Sequence, residues 1–229
     1  MERLGTEYGG WWVPANTINS KSICYCVGAG EDVSFDCDLI TRYGCNVFTF
    51  DPTPRAINHV RNLFEETNSD RLMPINNAAN HFYSITKEQI DKLHFYSYGI
   101  WSKNEKKRFY VPMNKKDVSH SILNLQRTME YFESDCFTIK HIMNELNHDY
   151  ITLLKLDIEG AEYEVIDSII CDNMKPLILC IEFDEGNNPI DGDYLTRIQV
   201  SISSLLDFGF VPIYRDGWNV TFTSGNKKK

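Results

Sequence analysis

The stretch "LLKLDIEGAEYEVID" (residues 153–167) joins a strand-like run to a helix-like run and indicates the fold class. Its first residues are mostly apolar, as in a buried strand, and Val165 and Ile166 share a face of the following helix with Glu162. A strand that runs into a helix is typical of α/β proteins, whose ligands bind beyond the carboxyl ends of parallel strands. The acidic residues of the stretch lie around this end of the strand: Asp157, Glu159, Glu162, Glu164 and Asp167.

The same alternation of strand and helix runs through most of the chain. Strand-like patterns cover residues 22–30, 46–51, 93–101, 107–112, 150–158, 176–184, 211–215 and 219–223. Helix-like spacing of apolar residues follows Pro54 and is also found within residues 33–43, 137–146, 161–170 and 194–210. We expect a parallel sheet covered by helices on both faces, in which residues 93–101 and 107–112 form a hairpin-like insertion.

The composition is that of an ordinary globular protein. The 229 residues are 42% hydrophobic and 24% charged, which is enough for one α/β domain with a single core. We expect this domain to cover residues 1–229, with an N-terminal arm (1–20) and a short tail (225–229) that frays. The net charge of −9 argues against sequence-independent nucleic-acid binding, which needs a cationic surface.

Sequence features also bear on the cellular setting. No apolar run approaches the ~18 residues of a membrane span, and "MERLGTEYGGWWVP" lacks the apolar core of a signal peptide. The seven cysteines are scattered and form no C-x-x-C pair. These features favour a cytoplasmic protein with reduced thiols, no membrane partner and no structural zinc site.

A glycine loop, "VGAGED", closes the first long strand and suggests a nucleoside site. Gly28 and Gly30 permit a tight turn and close approach of a ligand, and Asp51 ends the next strand, where a carboxylate can accept hydrogen bonds from ribose hydroxyls. A tight loop followed by a helix-capping aspartate is the structural alternative, since two glycines at this spacing are common.

The charges beside the loop favour a cationic nucleoside. A dinucleotide site needs a third small residue where this chain has Val33, and Glu31 and Asp32 place negative charge where a phosphate would bind. S-adenosylmethionine carries a sulfonium and an ammonium group but no phosphate. The residues therefore favour a methyl donor over NAD.

Three segments, "VGAGEDVSFD", "FDPTP" and above all "LLKLDIEGAEYEVI", resemble the FkbM family of S-adenosylmethionine-dependent methyltransferases. The resemblance covers about residues 9–223, and its most specific part is the block 155–162. It implies a Rossmann-like class I methyltransferase fold with a mostly parallel seven-stranded sheet. It also implies S-adenosylmethionine as cofactor and O-methylation of a sugar or another small-molecule hydroxyl.

The resemblance also implies which residues bind the cofactor. They are Gly28, Gly30, Glu31, Asp32, Asp51, Pro52, Tyr98, Gly99, Ile100 and Asp157, with the segment 98–102 near the adenine. One position departs from the usual class I pattern, because Cys26 stands where many of these enzymes have an acid. We expect Glu31 or Asp32 to do part of the work of that acid.

The acidic block suggests the catalytic chemistry. Asp157 lies at the strand exit, with Lys155 behind it on the same side, whereas Glu162 points inward and needs a partner such as Lys155 or a loop cation. Glu182 and Asp184 end the next strand and are expected to converge with Asp157.

Such a cluster lines the site with negative charge or holds Mg²⁺, but three matching ligands are not evident and we predict no metal. Methyl transfer is a direct displacement that a base assists by taking the hydroxyl proton. The candidates for that base are Asp157, Glu182 and His120.

Several alternatives stay open at this point. The segment "EYGGWW" (residues 7–12) forms either a lid or acceptor platform, or an arm that fills a groove. An NAD-dependent oxidoreductase or epimerase would need a Tyr-x-x-x-Lys pair, and Tyr83 and Lys87 match only in a polar, loop-like stretch. A third reading is an inactive nucleoside-binding module. The expected partner is a small-molecule or glycan acceptor.

Overall fold

The computed structural model describes residues 1–76, 81–114, 120–124 and 128–225. It contains a mostly parallel seven-stranded sheet whose strands alternate with helices, which confirms the predicted fold class. The chain separates into two compact units, Met1–Ser97 and Tyr98–Lys229. Across the described part of the chain, every helix is too short or too polar to cross a membrane. Residues 226–229 of the predicted tail lie outside the described residues.

The first unit contains a hairpin and three parallel strands of the main sheet. The hairpin pairs β1 (Glu2–Leu4) with β2 (Trp11–Val13). The sheet strands follow the order β3 (Ile23–Val27), β4 (Asn46–Phe50) and β5 (Leu93–Tyr96). Their helices are α1 (Ser34–Tyr43), α2 (Pro54–Asn68) and the short α3 (Lys87–Ile90). This arrangement brings the carboxyl ends of β3 and β4 together, with Val27 opposite Phe50.

The start of α2 follows directly from its sequence. Pro54 occupies the first turn, where a missing N–H costs nothing, and the Thr53 side chain accepts a hydrogen bond from the Ala56 N–H. The buried Ala56, Val60 and Leu63 recur at helical spacing and anchor the helix on the core. The helix therefore begins where the sequence predicts it.

The second unit contains four strands of the main sheet and a separate three-stranded sheet. The small sheet has the order β6 (Gly99–Ile100), β8 (Tyr131–Phe137) and β7 (Glu105–Tyr110). The main-sheet strands are β9 (Leu153–Leu156), β10 (Ile178–Glu182), β12 (Asn219–Ser224) and β11 (Phe210–Asp216). The helices are α4 (Ile139–Glu145), α5 (Glu162–Cys171) and α6 (Tyr194–Phe208), and a 3-10 turn covers Asp184–Gly186.

The strands β9 and β10 form the buried centre of the second unit. They are parallel neighbours, with Leu156 opposite Ile181. All four residues of β9 are buried, as are the first four of β10, because a parallel strand covered on both faces carries a continuous apolar run. Lys155 is the charged exception, and its side chain is only 4% exposed.

Two sequence predictions about strands are wrong. Residues 93–101 form two short strands in different sheets, because the chain turns after Tyr96. The segment 107–112 does not pair with them as a hairpin, since β7 pairs antiparallel with β8. The strand β8 was not predicted, because it mostly alternates exposed and half-buried residues and contains four acidic or hydroxyl side chains.

The strand β11 is the outermost strand of the main sheet in the second unit. Its pairing with β12 shifts register between Pro212 and Tyr214. Val211, beside this irregularity, is 49% exposed.

Candidate active site

The predicted site residues fall into two groups, one in each unit. The first unit holds the glycine loop and its neighbours: Gly28, Gly30, Glu31, Asp32, Asp51 and Pro52. The second unit holds the remaining ones: Tyr98, Gly99, Ile100, His120, Asp157 and Glu182.

The glycine loop is held by Asp51. One carboxylate oxygen of Asp51 accepts hydrogen bonds from the N–H groups of Ala29 and Gly30, both at 2.9 Å, and the other accepts from the Thr53 N–H at 2.8 Å. Gly28 and Gly30 have φ values of 86° and 52°, which glycine adopts without strain. Asp51 is 6% exposed, so its first role is to hold this turn. Ribose binding by Asp51 stays a prediction, as does the role of the adjoining Pro52.

The two acids after the loop have partners in the protein. Arg55 binds Glu31 through two nitrogens, at 3.0 and 2.5 Å. Asp32 accepts hydrogen bonds from the Thr6 hydroxyl at 2.6 Å and from the Ser34 N–H at 2.9 Å. Glu31 is thus paired with Arg55, and Asp32 accepts from the start of α1. Cofactor binding by Glu31 and Asp32 stays a prediction.

The N-terminal hairpin is fastened to the same place. Thr6 donates from its N–H to the Ser34 hydroxyl at 2.9 Å. A Cβ on Gly9 would lie 2.8 Å from the Asp32 carboxyl carbon, so this close contact requires glycine. Trp11 is 3% exposed. Of the two interpretations of "EYGGWW", these contacts favour the packed arm over the mobile lid.

A buried hydrogen-bond chain supports the start of α1 from another side. The Val33 N–H donates to the Tyr83 hydroxyl at 3.2 Å, and this hydroxyl lies 2.7 Å from His59 Nε2. The direction of this second hydrogen bond depends on the tautomer of His59, and both side chains are buried. Burial lowers the pKa of His59, in agreement with this arrangement. Tyr83, the tyrosine of the apparent Tyr-x-x-x-Lys pair, is therefore a structural residue.

In the second unit, the segment predicted near the adenine belongs to the small sheet. Gly99 and Ile100 are buried in β6 and pair with Cys136 and Phe137. A Cβ on Gly99 would lie 2.7 Å from the Cys136 sulfur. The Tyr98 ring meets that of Phe137 edge to face, with centroids 5.0 Å apart. A role of Tyr98, Gly99 and Ile100 in cofactor binding stays a prediction.

The block after β9 pairs its charges differently from the sequence prediction. Lys155 Nζ lies 3.0 Å from an Asp157 carboxylate oxygen, so the lysine is paired with Asp157 rather than Glu162. Glu162 is inward-facing, as predicted, and fully buried. One of its oxygens accepts from the Gly160 N–H at 3.0 Å, and the other has no hydrogen-bond partner among the described residues. Burial raises the pKa of Glu162 to about 8, so it is mostly protonated at neutral pH.

Asp157 and Glu182 follow at the carboxyl ends of the neighbouring strands β9 and β10, as predicted from their positions. The charge of Asp157, and then burial, raises the pKa of Glu182 to about 10. Glu182 therefore keeps its proton at neutral pH beside the charge of Asp157. The Asn187 side-chain amide donates to Glu182 at 3.2 Å.

A second carboxyl pair lies beside the first. Burial and the charge of Asp157 raise the pKa of Asp184, which is also close to Glu159. The backbone at Glu159 has φ 53°, unusual outside glycine, and the Ser121 hydroxyl holds its carbonyl at 2.5 Å. In the described part of the chain, no group of three or more His, Cys, Asp or Glu residues is arranged to hold a metal ion.

His120 lies beside an aromatic surface of the second unit. Its ring meets Phe132 edge to face, with centroids 5.7 Å apart, and Phe132 packs on the cluster around Trp101 and Phe109. The next residue is Ser121, which sequence reasoning missed. A lone serine in a polar stretch carries no signal of the contact to Glu159.

Comparison with known protein families gives a match over most of the chain. A family model described as the methyltransferase FkbM domain matches residues 25–211, which include both acidic regions. No curated protein matches the chain.

Among solved structures, the fibrillarin pre-rRNA processing protein of Methanococcus jannaschii is 10% identical, with a TM-score of 0.46 over 94% of this chain and 72% of that chain. Precorrin-6y C5,15-methyltransferase from Geobacter metallireducens GS-15 is also 10% identical, with a TM-score of 0.43 over 90% and 79% of the two chains.

Proposed function

From the premise that this chain belongs to the FkbM methyltransferase family, we propose that it is an S-adenosylmethionine-dependent enzyme that methylates a hydroxyl oxygen. The acceptor is a sugar or another small molecule with a nucleophilic hydroxyl. One structural observation carries the choice of oxygen as the methylated atom. It is the neighbouring carboxyl groups of Asp157 and the protonated Glu182, at the carboxyl ends of two parallel strands.

The glycine loop fits a cofactor without phosphate groups. In a dinucleotide site the N–H groups of this loop and of the following helix end bind the pyrophosphate. Here the N–H groups of Ala29 and Gly30 donate to Asp51, and the Ser34 N–H donates to Asp32. A pyrophosphate would have to displace carboxylates from these donors, whereas an adenosyl sulfonium need not. The loop thus favours a methyl donor over NAD for a reason that its glycine spacing does not show.

The carboxyl pair supplies the proton chemistry. S-adenosylmethionine, when bound, supplies a methyl group on a positively charged sulfur. That methyl group would pass directly to the acceptor oxygen as the carbon–sulfur bond breaks, and the bonding electrons would stay on sulfur. The acceptor proton moves to Asp157, since Glu182 already keeps a proton at neutral pH. Lys155 Nζ, 3.0 Å from Asp157, is the positive group beside this base.

Calorimetry tests the cofactor. Titrations of S-adenosylmethionine, S-adenosylhomocysteine and NAD into the same sample are expected to show binding of the first two only. Binding of NAD with no response to S-adenosylhomocysteine would instead support the oxidoreductase or epimerase interpretation.

A screen of hydroxyl compounds then tests the reaction. Formation of S-adenosylhomocysteine, together with a methylated product in the mass spectrum, is expected for at least one sugar or small-molecule alcohol. Tight S-adenosylmethionine binding with no turnover on any acceptor, glycans included, would favour an inactive binding module. The net charge of −9 supports the further proposal that nucleic acids and membranes are not partners.

A further inference from the structure

The second unit contains a polar pocket of about 420 Å³ beside the acid cluster. Its wall is formed by the 3-10 turn after β10, the end of β7, Glu159 and the residues around Ser121. The polar side chains that line it include two carboxyl groups, three amides and hydroxyl groups. Among them are Glu159, Asp184, Asn187, Asn188, Ser121 and Tyr110. A pocket of this size and character fits a small polyhydroxylated molecule.

Asp184 is the residue that points to a particular ligand. It is 5% exposed, and one of its oxygens accepts a hydrogen bond from the Asn188 side-chain amide at 3.0 Å. The other oxygen is buried and receives no hydrogen bond from the described residues. A buried carboxylate oxygen that receives no hydrogen bond costs free energy, because it has lost its contacts with water. A hydrogen bond from a ligand would recover that free energy.

The charge around Asp184 indicates which kind of hydrogen-bond donor a ligand would need. Glu159 lies beside it, and Asp157 adds further negative charge. Among the described residues that line the pocket, none is lysine, arginine or histidine. A cationic N–H donor would both satisfy the open oxygen and relieve the repulsion between the carboxyl groups, whereas a neutral hydroxyl would only do the first.

We propose that this pocket binds the acceptor of the proposed methyl transfer through an ammonium group held by Asp184 and Glu159, so that the acceptor is an amino sugar or a similar amino polyol. The inference rests on the proposed function. The amides of Asn187 and Asn188 bind ring hydroxyls, and the ammonium group fixes the molecule beside the Asp157–Glu182 pair. Phosphorylated or carboxylated sugars are excluded by charge.

The backbone supports a fixed binding site here. Glu159 has a left-handed backbone conformation, and Gly160 follows with φ 93°. The Ser121 hydroxyl holds the Glu159 carbonyl in place. Strained positions of this kind persist where the surroundings stabilise them, and they are frequent at ligand sites.

Ligand-observed NMR and calorimetry with three related probes test the proposal. Glucosamine, N-acetylglucosamine and glucose 6-phosphate are titrated into the protein, with and without saturating S-adenosylhomocysteine. Glucosamine is expected to bind about tenfold more tightly than N-acetylglucosamine, because acetylation removes the charge, and glucose 6-phosphate is expected not to bind. Equal binding of glucosamine and N-acetylglucosamine, preference for the phosphate, or no binding of glucosamine would overturn the proposal.

A variant series locates the binding. Asp184→Asn keeps the shape of the side chain and is expected to weaken glucosamine binding about tenfold, with little effect on N-acetylglucosamine. Asp207→Asn, on the exposed face of α6, is the matched control and should change neither affinity. Unchanged glucosamine binding in Asp184→Asn would overturn the assignment. The wild-type comparison of the probes stands even if this variant fails to fold.

The titrations also separate this inference from the function on which it rests. Binding of S-adenosylhomocysteine without any glucosamine preference rejects the acceptor class and leaves the methyltransferase proposal intact. Glucosamine preference without S-adenosylhomocysteine binding supports the pocket and rejects the cofactor. Tighter binding of Mg²⁺ than of glucosamine, lost in Asp184→Asn, would overturn the proposal in favour of a cation site.

Discussion

Two acidic regions of this chain carry the same kind of charge and use it in opposite ways. Around the glycine loop, Asp51 and Asp32 accept hydrogen bonds from backbone N–H groups, and Glu31 is paired with Arg55. At the ends of β9 and β10, Asp157 raises the pKa of the neighbouring Glu182, which keeps a proton. Backbone N–H groups and Arg55 satisfy the first set, whereas the second places two carboxyl groups together with one lysine, Lys155, and one amide, Asn187.

The difference shows that carboxylates do not have one meaning at the end of a strand. A carboxylate with three N–H donors fixes a turn and contributes to stability, since its charged form is favoured. A carboxylate that faces another one holds a proton and is ready to exchange it or to receive a cation. Stability experiments should therefore respond to the first region, and activity and pH experiments to the second.

The largest expected effect is on catalysis, and it distinguishes the role of Asp157 from that of Glu182. With the acceptor found in the screen, Asp157→Asn is expected to lower kcat by at least about 100-fold, because the base is lost. Glu182→Gln is expected to lower it by less than about tenfold, because glutamine imitates the protonated acid. Steady-state kinetics measures both, with urea denaturation of each variant as the folding control. The reverse order of effects would make Glu182 the base.

The next effect is on stability and tests the glycine-loop region. Asp51→Ala removes the acceptor of three backbone N–H groups in a buried turn, so the free energy of unfolding is expected to fall by about 3 kcal/mol. Urea denaturation followed by tryptophan fluorescence measures the change. Asp91→Ala, at an exposed aspartate of the same unit, should stay within about 0.5 kcal/mol. A loss below about 1 kcal/mol for Asp51→Ala would mean that other contacts hold the turn.

A third effect concerns pH and the buried Glu162. Burial raises the pKa of Glu162 from its ordinary value of 4.5 to about 8 in the folded protein. Between these values the folded protein keeps a proton that the unfolded chain has lost. The free energy of unfolding therefore falls as the pH rises through this range, by up to about 1.4 kcal/mol per pH unit from this group.

Glu162→Gln is expected to remove that part of the slope. Denaturation between about pH 5 and pH 8 compares wild type, Glu162→Gln and the exposed neighbour control Glu164→Gln. The control should keep the wild-type slope. Parallel slopes for wild type and Glu162→Gln would show that Glu162 is ionised throughout.

The smallest effect concerns the ion pair beside the glycine loop. Arg55 and Glu31 are 34% and 24% exposed, so solvent weakens their interaction. Arg55→Gln is expected to lower the free energy of unfolding by about 0.5 kcal/mol, with the difference shrinking at an ionic strength of about 1 M. Denaturation at two salt concentrations measures it. A loss of several kcal/mol that does not depend on salt would contradict this prediction and show that the ion pair stabilises the fold as strongly as the hydrogen bonds of Asp51.

Much of the fold could be predicted from hydrophobic periodicity. The strands β3, β4, β9 and β10 are apolar runs bounded by polar residues, and α2 has a capping threonine and a first-turn proline. The strand β8 could not be found this way, because Cys136 is its single buried residue. Its place depends on β7 and β6, which come from elsewhere in the chain.

The site was predictable in its residue types but not in its bonds. Lys155 and Asp157 are two residues apart and point to the same side, so the pattern alone could have predicted their ion pair. The sequence prediction instead gave Lys155 to Glu162, because a buried charged carboxylate requires a partner. Protonation of Glu162 removes that need. The donors to Asp51 were out of reach, because the direction of a backbone N–H depends on loop φ angles that glycine leaves open.

The outer strand β11 has a consequence for behaviour at high concentration. An exposed sheet edge invites pairing with a strand from another molecule, which is a common route to fibrils. Pro212 lacks an N–H, and the register shift beside it interrupts the regular spacing that a foreign strand would need. This edge is therefore a poor template for aggregation, so the chain tolerates an apolar Val211 at its surface.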